Sequence, residues 1–74
     1  MTPQEYKLWA EELNRVHKQL IDAMKAYERT IDSARKGKLS KPVAQKAIAT
    51  TLESVELCRQ QVERTRRTVL KMLG

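Results

Sequence analysis

Apolar residues recur through the first half of the chain at Tyr6, Trp9, Leu13, Val16, Leu20, Met24, Tyr27, Ile31 and Ala34, in steps of 3, 4, 3, 4, 4, 3, 4 and 3. Steps of three and four bring side chains onto one face of a helix. The second of the two consecutive fours, Leu20–Met24, is a stutter, which relaxes a left-handed supercoil locally without ending the helix. The second half repeats Ala44, Ile48, Thr51, Val55, Cys58, Val62, Thr65, Val69 and Met72 in alternating steps of 4 and 3, a regular heptad seam. Between the halves, Gly37, Lys38, Leu39, Ser40, Lys41 and Pro42 interrupt both patterns.

This pattern predicts an all-α fold, an antiparallel two-helix hairpin forming a single domain over residues 1–74. Helix one is expected over about 3–36, the turn over 37–40 and helix two over about 41–73. The end signals agree. Thr2, Pro3 and Glu5 form a capping-box start, while Arg35 and Lys36 suit the negative end of the first helix. Gly37 can take the left-handed position after it, with Leu39 folding back over that end. Ser40 is the expected cap of helix two, and Pro42 is tolerated in its first turn.

The apolar arcs are wider than a two-helix seam needs, roughly 160° on helix one and 180° on helix two, against about 100° for a core-facing stripe. The surplus is expected to meet another chain, most economically as a homodimeric four-helix bundle about a twofold axis. A groove for an amphipathic partner helix satisfies the same pattern. The residues expected to carry protein interaction are Tyr6, Trp9, Leu13, Leu20, Val55, Val62 and Val69, with the aromatic pair as an anchor near the open end. Leu8 and Leu57 fall outside the arcs as isolated exposed leucines.

Charge gives the hairpin distinct ends. The chain carries 15 basic and 9 acidic side chains, a net +6, with a pI near 9.8. From Ser33 to Leu52 there is no acid, while Arg35, Lys36, Lys38, Lys41 and Lys46 bracket the turn. That tip is a candidate anion contact, for an acidic protein face or for nucleic-acid phosphates. It lacks an aromatic platform for unpaired bases. At the open end, Arg64, Arg66, Arg67 and Lys71 are expected to be offset in part by Glu5, Glu11 and Glu12 across the hairpin.

Catalytic chemistry finds no constellation here. His17 is the single histidine and Cys58 the single cysteine, and no third group completes a nucleophile–base arrangement or a zinc set. Glu53 and Glu56 share a face without the histidine spacing of a di-iron bundle. The expectation is therefore a protein without catalytic residues, metal or cofactor. No apolar run is long enough to span a bilayer, the first residues lack a signal peptide, and a lone thiol suits a reducing cytoplasmic interior. The functional expectation is a non-catalytic interaction or regulatory module acting through an apolar helical face and a basic turn. The alternative is a dimeric RNA- or DNA-binding regulator that grips phosphates through that turn.

Overall fold

The computed structural model describes residues 2–74 and contains two α-helices of 33 residues each, α1 (Pro3–Arg35) and α2 (Lys41–Leu73). They pack along their whole length into a rod 53 Å long and 15 by 11 Å across. Thr2 starts α1 from extended backbone, its hydroxyl accepting the Glu5 N–H at 3.2 Å, and Pro3 follows where no intrahelical donor is needed. Ser40 occupies the equivalent position before α2, but its side chain makes no capping hydrogen bond.

Helix α1 stops one residue earlier than its charge pattern suggests, with Lys36 as its C-terminal cap. The Gly37 N–H donates to the Ala34 carbonyl and the Lys38 N–H to the Ser33 carbonyl, both at 3.1 Å. These two bonds are the Schellman arrangement, which closes a helix by turning one residue left-handed. Gly37 is that residue, at φ 71°. A Cβ added there would meet no atom within 4 Å, so only the backbone resists a side chain. We expect Gly37→Ala to lower stability by about 1 kcal/mol, read as a melting-temperature drop of roughly 4–8 °C. An unchanged melt would mean that the turn does not depend on the left-handed residue.

The seam between the helices explains why the rod holds. On α2 the buried and half-buried residues include Ala44, Ile48, Thr51, Val55, Cys58, Val62, Thr65 and Val69, the heptad pattern read from the sequence. Only Met72, at the open end, stays exposed. On α1 the seam differs from the apolar pattern. It runs Trp9, Leu13, Val16, Leu20, Ala23, Tyr27, Thr30 and Ala34, alternating steps of 4 and 3 without a stutter. Ala23 takes the place expected for Met24, which stands 45% exposed, and Thr30 shares its turn with half-buried Ile31. A continuous heptad keeps the contact facing one partner, and small side chains at the crossing let the helices approach. The Thr30 hydroxyl meets its own need by donating to the Ala26 carbonyl at 2.9 Å.

The interior of the isolated hairpin is thin. Val16, 1% exposed, and Val62, 8%, are its buried apolar side chains, joined by Thr65 at 9%.

Candidate interaction surfaces

Continuous heptads on both helices divide the rod into two flanks beside the seam. In an antiparallel pair, the positions just after the seam residues of one helix adjoin the same heptad positions of the other. Met24 follows seam residue Ala23, and Leu52 follows Thr51. Met24 lies 11 residues before Arg35 and Leu52 lies 11 residues after Lys41, so the two stand level on one flank. Ile21 adjoins Met24 one turn away, with Ile31 beyond it on α1 and Ala49 beside Leu52 on α2. Ile21, Met24 and Leu52 are 51%, 45% and 43% exposed. Toward the turn this flank runs into an open cleft lined by Tyr27, Glu28, Ile31, Asp32 and Arg35.

The residues expected to meet a partner fall in two groups. Trp9, Leu13, Leu20, Val55 and Val69 are half-buried in the interhelical seam and Val62 is buried there, while Tyr6 is exposed near the open end, as are Leu70, Met72 and Leu73. The apolar periodicity joined seam and flank into one stripe. Burial separates them: Ile21, Met24 and Leu52 lie on a flank that stays uncovered, as do Tyr6, Leu70 and Leu73 toward the open end, and the signal for this flank was the Leu20–Met24 stutter itself.

At the tip, Arg35, Lys36, Lys38, Lys41 and Lys46 are all exposed. Lys36 is drawn back along its own helix, its ammonium 2.9 Å from the Asp32 carboxylate. The cross-hairpin compensation expected at the open end is not formed. Among the described residues the ion pairs are Arg15–Glu12, Lys36–Asp32 and Arg59–Glu56, each within one helix at a spacing of three or four. Arg15 holds Glu12 with two side-chain hydrogen bonds, one of 3.0 Å from its Nε. That hydrogen bonding, with the attraction of the guanidinium, sets the Glu12 carboxyl below the usual carboxylate range and pushes Arg15 above its ordinary value. Glu12 thus faces along α1 and leaves the arginines of α2 to solvent. Long charged side chains on an exposed helix find a partner one turn away at less entropic cost than one across the hairpin.

His17 is exposed and Cys58 half-buried. Among the described residues no three His, Cys, Asp or Glu side chains cluster as a metal site, and no helix is long and apolar enough to cross a membrane. No family model, curated protein or solved structure matches the chain.

Proposed function

We propose that this chain is a small non-catalytic interaction module that acts as a homodimeric four-helix bundle, with its basic surfaces turned toward an anionic partner. The observation that carries the reading is surface area. The hairpin exposes 5977 Å², whereas a compact monomer of 8.6 kDa exposes about 4,700 Å². The excess, roughly 1,300 Å², is more than the ~800 Å² that each partner buries in a standard interface. The flank of Ile21, Met24, Ile31 and Leu52 lies on the turn-side half of the rod, and a twofold axis through it lays it on its own copy.

Sedimentation equilibrium tests this directly. At about 100 micromolar, above the dissociation constant of a standard-size interface, the mass should be twice that of the chain. A fully helical species that remains at 8.6 kDa would refute the dimer.

A further inference from the structure

The outward face of α2 near its C-terminus carries a row of bases at helical spacing. Arg15, Lys36 and Arg59 each pair with an acid three or four residues away. Gln60, Arg64, Arg67 and Lys71 succeed one another at those same helical spacings, within an arc of about 60° at 3.6 residues per turn. Arg64 therefore adjoins Arg67, and Arg67 adjoins Lys71, so like charges sit where opposite charges would stabilise the helix. Among the described residues none of these three bases forms an ion pair. Glu63 is the one acid between Leu57 and Gly74, beside Arg59, Arg64, Arg66, Arg67 and Lys71. The negative end of α2 accounts for Lys71 in its last turn, but that field fades within a turn and does not reach Arg64. A local arrangement of like charges that Glu63, four residues before Arg67, offsets only in part marks a surface kept for a ligand.

We propose that Arg64, Arg67 and Lys71 bind the phosphate backbone of a nucleic-acid duplex, with Gln60 as a neutral hydrogen-bonding neighbour. Three features select this ligand. Guanidinium forks fit phosphate oxygens with two parallel hydrogen bonds, and two of the three bases are arginine. Arg64 to Lys71 covers about 10 Å of helix axis, a length over which a duplex presents roughly six phosphate charges. The stripe itself carries no large apolar side chain, whereas a membrane-surface helix needs an apolar face to insert. An open cleft beside the stripe, lined by Arg59, Gln60, Glu63, Arg64 and Arg67, lets an oxygen approach between the bases. No aromatic residue occurs on α2, so contact is to the backbone and indifferent to base sequence. The site lies on the opposite end of the rod from the turn lysines and does not depend on whether the chain dimerises.

Fluorescence anisotropy with labelled 20-base-pair DNA and RNA duplexes of unrelated sequence tests the proposal. Three phosphate contacts give a slope near −2.7 in log affinity against log salt, hence about a forty-fold loss between about 50 and 200 mM. The Arg64→Gln/Arg67→Gln/Lys71→Gln variant should keep its helical circular dichroism and lose most of that slope, weakening all duplexes alike. Lys38→Gln/Lys41→Gln should retain the slope. Loss confined to the turn variant would overturn the assignment. So would preferential binding of the wild-type chain to phosphatidylserine vesicles or polyglutamate with no duplex affinity at the lower salt.

Discussion

Val16→Asp should abolish the hairpin at neutral pH, leaving a chain whose helical circular dichroism at 25 °C is largely gone. Val16 is 1% exposed at the middle of the α1 seam, the most deeply covered side chain in the molecule. An unpaired carboxylate there costs about 3–5 kcal/mol. A 74-residue chain has roughly 4–11 kcal/mol of stability in all, and a two-helix rod with so thin an interior belongs near the lower end. Burial raises the pKa of the introduced carboxyl, so the folded state holds its proton more tightly than the unfolded state. The loss is therefore greatest above the ordinary carboxylate range, and part of the helicity should return below about pH 4. Val16→Ala provides the scale, at about 2 kcal/mol for the lost methyls and the space they leave. Thermal and urea melts read both. A Val16→Asp protein that melts like the wild type would mean the helices are not held by this seam.

The second large effect separates association from folding. Met24→Glu/Leu52→Glu places charges on side chains that the lone hairpin leaves 45% and 43% exposed, so the seam keeps its residues. In a twofold dimer each substitution occurs twice, and four carboxylates converge on one apolar contact. We expect the dimer dissociation constant to rise at least a hundred-fold, about 2.7 kcal/mol, with the monomer still helical when concentrated. Val55→Asp is the contrasting variant, because it strikes the seam and should lose folding and association together. Identical sedimentation of Met24→Glu/Leu52→Glu and wild type would place the interface on another face.

The contrast between these variants separates what the sequence pattern encodes openly from what only packing decides. Thr2, Pro3 and Gly37 announce helix ends because each meets a backbone requirement that few residues meet, and the structure puts the boundaries within a residue of them. The α2 heptad was equally legible, since its apolar period and its packing period coincide down to Val69. On α1 they part at Ala23. Hydropathy ranks Met24 above Ala23, whereas close helix approach favours the smaller side chain, and packing follows shape. The candidate site was legible only in outline. Net charge and the acid-free turn were visible, but whether Glu5, Glu11 and Glu12 would neutralise the arginines of α2 depended on side-chain reach. Glu12 turned to Arg15, one helical turn away.

The Schellman turn also orders the way the rod assembles. Because it sits at the midpoint of the chain, residues that face each other are separated by a few positions at the tip and by nearly the whole sequence at the open end. Closing a short loop loses less entropy than closing a long one, so contacts form from Ala34 and Ala44 outward, like a zipper. Opening runs the same course in reverse, and amide exchange should quicken steadily from the turn to the termini. The arginine stripe lies on the part of the rod that closes last. An anion held there would act as a clasp, tightening the end that the turn is least able to control.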